Sequence, residues 1–167
     1  ISLFRFSIYV PTKYFYFCSQ IVRKNMDISF KNMSLSEFEQ QFPTEEHCLS
    51  YLANEKWQEG FVCKKCGHTN SCEGRQPYSR RCTKCKHQES ATAHTLFHGC
   101  KISLPEAFKL SFMVCQNPDI SSHEIGRVME IRQMTCWKFK KKIMECVDGK
   151  GQLNILQKVD FPNEFSE

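Results

Sequence analysis

The sequence predicts an α+β protein of small units, in which short antiparallel strands held by four cysteines lie between an N-terminal helix and a C-terminal group of helices. Two observations favour this class. The pairs Cys63/Cys66 and Cys82/Cys85 each have the spacing C-x-x-C, and fifteen residues separate the pairs. Apolar residues before and after them recur at helical spacing. With 167 residues, the chain has room for one ordinary domain or two small ones.

The helical lead-in is predicted over residues 34–60. Thr44 can cap a helix that Glu45 and Glu46 favour by their charge, and Gly60 would end it. Residues 1–33 are predicted to be an upstream extension outside the fold. Their aromatic run is interrupted by charge and proline, so it does not match a membrane span, although a membrane anchor stays an alternative.

The central segment, residues 61–101, is predicted to bind metal. Four thiolates in two C-x-x-C hooks fit a closed tetrahedral Zn²⁺ site with no position left for a substrate. Strands are expected over residues 78–82 and 87–95. A unit of about 40 residues buries too little apolar surface to fold alone, so one structural zinc would supply the missing stability. The pattern is typical of a zinc ribbon.

The cysteines and histidines allow other roles as well. A single C-x-x-C can be a redox dithiol, and Cys72, His68 or His87 could replace a thiolate ligand. His94 and His98 are expected to be structural or phosphate-facing, because no nucleophile with an orienting partner accompanies them. The remaining cysteines are predicted to pack in the interior: Cys18, Cys48, Cys100, Cys115, Cys136 and Cys146.

The C-terminal segment, residues 102–149, is predicted to be helical. Ser103 and Ser121 each precede a glutamate by three residues, as in a capping box. A third helix follows from about 132 to 147 after only a few residues, which suggests helix-turn-helix geometry. On this third helix, Cys136, Phe139 and Ile143 form an apolar face.

The positive charge is concentrated in two places. Residues 61–101 carry eight Lys/Arg against two Glu, and residues 132–142 add five basic residues and no acidic one. Such regions indicate a polyanion, most simply nucleic acid, although ordinary solubilising charge is the alternative. The predicted phosphate contacts are Arg80, Arg81, Lys140 and Lys142. The predicted base contacts are Gln133, Trp137, Lys138 and Lys141.

Over residues 40–147 the sequence resembles the N-terminal part of zinc-ribbon insertion-sequence transposases. The resemblance rests on the order of several motifs: Phe42-Pro43-Thr44-Glu45-Glu46, Gly60-Phe61-Val62-Cys63, Arg81-Cys82-Thr83-Lys84-Cys85, Thr95-Leu96-Phe97-His98-Gly99 and Trp137. It implies that the ribbon and the helix-turn-helix bind transposon-end DNA. Two departures stand at the turn between the last helices, where Glu130 replaces the family's glycine and Arg132 replaces a polar cap.

In that family a C-terminal DDE-type nuclease domain performs strand cleavage and transfer. Residues 150–167 have too little length for it and are expected to be a truncated tail, so the chain itself is predicted not to be an enzyme. The expected function is therefore the zinc-dependent DNA-binding portion of a truncated insertion-sequence transposase. Expected partners are double-stranded transposon ends and either a second copy or a separate catalytic subunit, with no membrane.

The expected location is the bacterial cytoplasm, on the nucleoid when DNA is bound, because an odd number of cysteines in metal-type hooks favours a reducing compartment. Two other functions stay open. One is a zinc-ribbon module for protein interaction, using the acidic segment 34–60 with Phe38, Phe42 and Trp57. The other is a non-functional transposase remnant.

Overall fold

The computed structural model describes residues 27–28, 30–148 and 153–157. The helices and strands follow one another in this order: β1 (Asp27–Ile28), a 3-10 turn (Phe30–Asn32), α1 (Leu35–Gln41), α2 (Glu45–Lys56), β2 (Ser71–Glu73), β3 (Arg80–Cys82), β4 (Gln88–Glu89), α3 (Leu104–Gln116), α4 (Ser122–Met129), α5 (Gln133–Cys146) and β5 (Leu153–Asn154). The predicted α+β class is confirmed. Cys18 and most of the predicted extension and tail lie outside the described residues.

The ribbon sheet has the order β2-β3-β4, with both pairs of strands antiparallel. Its strands are shorter than predicted. Tyr78 adopts a left-handed backbone with a φ of 53°, so the second strand begins only at Arg80. Beyond Glu89, hydroxyl groups hold turns in place of a strand: Thr95 Oγ1 donates to the carbonyl of Thr92 at 2.7 Å. Such local bonds compete with strand pairing.

Serine caps begin three of the helices. Ser103 forms both bonds of the predicted capping box. Ser34 forms the same kind of box at the start of α1, and that box was not predicted. Ser121 accepts a hydrogen bond from the backbone N–H of Glu124. The predicted start of α2 is correct, but Thr44 makes no side-chain cap, since its hydroxyl bonds the His47 ring instead.

An aromatic core joins the parts of the chain. Phe108 of α3 stacks on Phe97 with 4.4 Å between ring centroids, and Phe42 lies 4.9 Å from it. Phe30 is fully buried. Its ring meets four others edge-on, those of Phe38, Phe42, Phe108 and Phe112. Helix α3 also contacts α2 and α5, so it is the element around which the others pack.

Two predicted boundaries are wrong. The sequence pattern predicts an extension outside the fold up to residue 33, yet Phe30 lies in the core and the Gln116 side chain donates to the carbonyls of Phe30 and Met33. Residues 150–167 were described as a tail, yet β5 pairs with β1 and Ile155 is fully buried. The segments that precede and follow the predicted domains therefore pair with each other through β1 and β5. Among the described residues, no helix is long and apolar enough to cross a membrane.

The turn between α4 and α5 is tight. Glu130 takes a left-handed backbone with φ 57° and ψ 31°, where most L residues are strained. Gly126 faces the turn so closely that a Cβ there would lie 2.8 Å from the carbonyl oxygen of Ile131. Arg132 precedes α5 without a side-chain cap. The turn therefore keeps its geometry by close packing, although the residue types at 130 and 132 do not favour it.

Phe30→Ala should lower the free energy of unfolding by about 3–5 kcal/mol, because it removes a buried ring at the centre of the aromatic core. Denaturant unfolding followed by circular dichroism measures the change. Lys31→Ala is the matched control on the exposed neighbour and should have little effect. Equal free energies of unfolding for the two variants would show that residues 27–33 do not contribute to the core and are an extension, as the sequence predicts.

Glu130→Gly should raise the free energy of unfolding by roughly 0.5–1 kcal/mol, because relief of the left-handed strain exceeds the extra chain entropy that glycine loses on folding. Glu130→Ala keeps the Cβ and should bring no such gain. Denaturant unfolding of the two variants and of the unmutated chain measures these changes in the free energy of unfolding. A gain of the same size for alanine would show that the glutamate side chain, not the backbone, is the cause.

Candidate metal centre and basic surfaces

The four predicted metal ligands meet at one point. The sulfur atoms of Cys63, Cys66, Cys82 and Cys85 all lie within 4.8 Å of one another. The Cys63–Cys85 separation is 3.5 Å and the Cys66–Cys82 separation is 3.6 Å. A tetrahedron of thiolates with metal–sulfur bonds of 2.3 Å has edges of about 3.8 Å. The spacing therefore fits one metal ion with four sulfur ligands.

The two hooks share one backbone design. In the first, the Cys63 N–H donates to the carbonyl of His68 and the Cys63 carbonyl accepts from Gly67. In the second, Cys82 makes the same two bonds with His87 and Lys86. Gly67 and Lys86 both have positive φ, 69° and 62°. The similar flanks seen in the sequence thus correspond to two near-equivalent turns that point their thiols at each other.

Two thiols of the cluster have pKa values that are shifted in opposite directions. Burial raises the pKa of the Cys82 thiol, but backbone N–H groups of Cys85 and Lys84 outweigh this effect and lower the pKa to about 6. The His87 N–H lowers the pKa of Cys85, whereas burial and the neighbouring thiols raise it to about 12. A metal cation bound by the four sulfur atoms would favour the thiolate form of the ligands.

The alternative ligands do not join this group. His68 Nε2 lies 3.0 Å from the Thr83 hydroxyl, and the exposed Cys72 thiol lies 3.6 Å from the Arg81 carbonyl. Across the described residues, the four cysteines are the one cluster of three or more side chains placed to share a metal. The packing prediction is confirmed for Cys48, Cys115, Cys136 and Cys146, which are buried, while Cys100 is half-buried. His94 and His98 are exposed, with parallel rings 6.3 Å apart.

A buried ion pair attaches the ribbon to α2. Lys56 Nζ lies 2.6 Å from Glu89 Oε1 and donates to the carbonyls of Ser90 and Ala93. Burial lowers the pKa of Lys56, although the bond to Glu89 opposes this. The sequence pattern did not predict this ion pair. Lys56 is the single lysine among six glutamates in residues 34–60, and that isolation was the available signal.

The two arginines of β3 have different surroundings. Successive residues of a strand point to opposite faces. Arg80 lies over the Trp57 ring, with 5.2 Å between its Cζ and the ring centroid, and its guanidinium donates to Ser71 Oγ. Arg81 faces the other way. Both side chains are exposed, so either one can reach an external anion.

The outer face of α5 carries four of the predicted contacts. Gln133, Trp137, Lys138 and Lys141 are exposed, and the Lys141 ammonium lies 5.9 Å from the centre of the Trp137 ring. The predicted apolar face of the same helix, Cys136, Phe139 and Ile143, is buried. The helix therefore separates an interior stripe from a cationic and aromatic surface, as its pattern indicated.

Two other lysines of α5 have partners within the fold. Lys142 is 8% exposed, and its Nζ lies 3.3 Å from the His98 carbonyl. This position argues against the phosphate contact predicted for Lys142. The error has a geometric cause: successive helical residues turn by about 100°, so a run of three lysines cannot share one face. Lys140 is half-buried and donates to the Ile120 carbonyl at 2.7 Å.

Comparison with known protein families gives a match over one segment of the chain. Residues 43–88 match the family model of the transposase zinc-ribbon domain. The matched segment contains α2, β2, β3 and all four clustered cysteines, so the predicted resemblance is confirmed there. Comparison with curated proteins and with solved structures gives no match. We call residues 43–88 the zinc-ribbon segment.

Cys63→Ser should abolish stable metal binding and loosen the zinc-ribbon segment, because three thiolates and a hydroxyl make a much poorer site than four thiolates. Metal content by elemental analysis and unfolding by circular dichroism give the two readouts, and a strong chelator should reproduce the effect on the unmutated chain. Cys72→Ser is the matched control, since that thiol lies outside the cluster. A segment that kept its native spectrum after chelation would contradict the assignment.

Proposed function

We propose that this chain is the zinc-dependent DNA-binding portion of an insertion-sequence transposase, which recognises transposon-end DNA. The observation that carries the proposal is that a sequence match and a geometric finding fall on the same segment. The segment that matches the transposase zinc-ribbon domain is the segment whose four cysteines converge. The family resemblance and the chemistry therefore describe the same site.

Zinc is the proposed metal. Four sulfur ligands at tetrahedral spacing are typical of structural Zn²⁺ sites, and iron–sulfur proteins are the other users of such a set. The ion's role here is to hold the two hooks together, since all four ligand positions are taken by protein. It supplies no open position for a reacting group.

Helix α5 is the proposed reading element. A three-residue turn joins it to α4, a connection that helix-turn-helix proteins use to set the second helix in the major groove. Gln133 and Lys138 would contact base edges, and Trp137 with Lys141 would pack against the groove. Arg81 and Lys140 are the proposed phosphate contacts. Lys140 would use the ammonium protons that it does not donate to Ile120.

Strand transfer would take place outside the described residues, in a further domain or a separate catalytic subunit. DDE chemistry uses carboxylates that hold two metal ions. The metal-ligating cluster of the described residues is made of thiolates instead. The proposed setting is the bacterial cytoplasm, on the nucleoid, where the cysteines stay reduced.

One observation favours a second candidate, a module that binds another protein. Apolar side chains are exposed along α4 and α5: Val128 by 57%, Met134 by 61% and Trp137 by 47%. Such side chains can anchor a protein partner as well as pack in a DNA groove. A partner protein held by these residues would depend much less on the lysines and on salt than DNA does.

The double variant Lys138→Ala/Lys141→Ala should weaken binding to duplex DNA, because it removes two cations that α5 would place in the major groove. The affinity of the unmutated chain should fall as salt rises, with a steep slope of log K against log salt. Fluorescence anisotropy with a labelled duplex, measured between low and physiological salt, provides the slope. Lys109→Ala, an exposed lysine on α3, is the matched control and should leave affinity and slope unchanged.

Two results would count against the proposal. One is an affinity for duplex DNA that does not change with salt. The other is a double variant that binds DNA like the unmutated chain while Trp137→Ala loses a protein partner, which would favour the second candidate.

A further inference from the structure

A cleft separates α2 from the β2–β3 hairpin, at a distance from α5 along the chain. Its volume is about 750 Å³, within the range of sites that hold nucleotide-sized ligands. Trp57 and Arg80 form one wall, and Tyr78 lies at the hairpin end. The Tyr78 hydroxyl donates to Glu46 at 3.1 Å, which ties the hairpin to the helix across the cleft.

Arg80 is positioned before any ligand arrives. Its guanidinium lies over the Trp57 ring and bonds Ser71, so its orientation is fixed by two contacts, yet the residue is exposed. A guanidinium is planar and weakly hydrated, and it stacks on aromatic rings with both faces. The Trp57 ring lies on one side of this guanidinium, with 5.2 Å between Cζ and the ring centroid. The other face can take a second planar group from the cleft.

The charges of the cleft select the kind of planar group. Arg75 and Arg80 are balanced by Glu46 and Glu73, so the cleft does not offer the excess of positive charge that a phosphate chain requires. Carboxylates instead accept hydrogen bonds from the amino groups of bases, as glutamate does from cytosine. Stacking on arginine or aromatic planes is the usual way in which proteins hold an unpaired base.

We propose that this cleft binds an unpaired base of a DNA strand, stacked on Arg80, next to the duplex that the protein holds. The inference rests on the proposed DNA-binding function and extends it from duplex recognition to a strand end or a flipped nucleotide. It also changes the role predicted for Arg80. Arg80 becomes a stacking surface, whereas Arg81 on the opposite face of β3 remains a phosphate contact.

The experiment compares two duplexes that differ only in a single-stranded overhang of about four nucleotides at each end. The unmutated, metal-loaded chain should bind the overhang duplex about tenfold more tightly, since stacking of one base contributes of that order. Arg80→Ala should remove this preference and leave affinity for the blunt duplex nearly unchanged. Arg80→Lys should remove it too, because lysine keeps the charge but lacks the plane.

Arg81→Ala is the matched control from the same strand. It should weaken binding to both duplexes and keep the preference for the overhang. Fluorine NMR of fluorotryptophan-labelled protein gives a direct readout, because the chain has two tryptophans. The Trp57 resonance should move with the overhang duplex and stay in place with the blunt one. Metal content and thermal unfolding of each variant check that it is folded.

Failure of this inference is distinguishable from failure of the proposed function. If the blunt duplex binds but the overhang adds nothing, or if Arg80→Ala keeps the preference, the cleft is not a base site and duplex binding still stands. If the blunt duplex does not bind, duplex recognition fails, and a single-stranded oligonucleotide that still shifts the Trp57 resonance would support the cleft alone. If the blunt duplex does not bind and the single-stranded oligonucleotide leaves the Trp57 resonance unmoved, both proposals are overturned.

Discussion

The aromatic core around Phe108 is the constraint on which the other elements depend. Rings from the N-terminal 3-10 turn, from α1 and from the loop after β4 converge on α3, so one buried cluster connects segments that lie far apart in the chain. Aromatic side chains contribute large buried areas and prefer the edge-on and stacked geometries found here. Because α3 also contacts α5, the same core fixes the helix that presents the cationic surface.

The ribbon stands in contrast to this core, because its stability has two other sources. One is the convergence of four thiols, which a bound metal ion would stabilise. The other is its attachment to α2 through the Lys56–Glu89 pair, where Glu89 Oε2 has no hydrogen-bond partner among the described residues. A buried ion pair is a weak source of net stability, but the loss of one partner is costly because it leaves the other charge buried and unpaired. We expect it to set the angle between helix and sheet, and hence the shape of the cleft beside Trp57.

The metal ligands could be predicted because their chemistry is local. Two C-x-x-C hooks define a ligand set whatever the fold around them, and the capping box at Ser103 likewise depends on residues three apart. The strand after the second hook could not be predicted in the same way. Its alternating pattern matched a strand, but the hydroxyls of Ser90, Thr92 and Thr95 form hydrogen bonds within local turns. The β-strand propensity of these residues does not show whether their segment pairs with another strand or forms such turns.

The sequence by itself determined the four-thiolate site, the helical segments around it and the two concentrations of basic residues, because spacing along one chain is enough to define each of them. Tertiary structure decided which basic residues remain available. Lys142 lies in the interior against a carbonyl, Arg80 is held over an indole from another element, and Phe30 belongs to the core. These outcomes depend on contacts between residues distant in sequence, and such contacts form only when whole elements pack together.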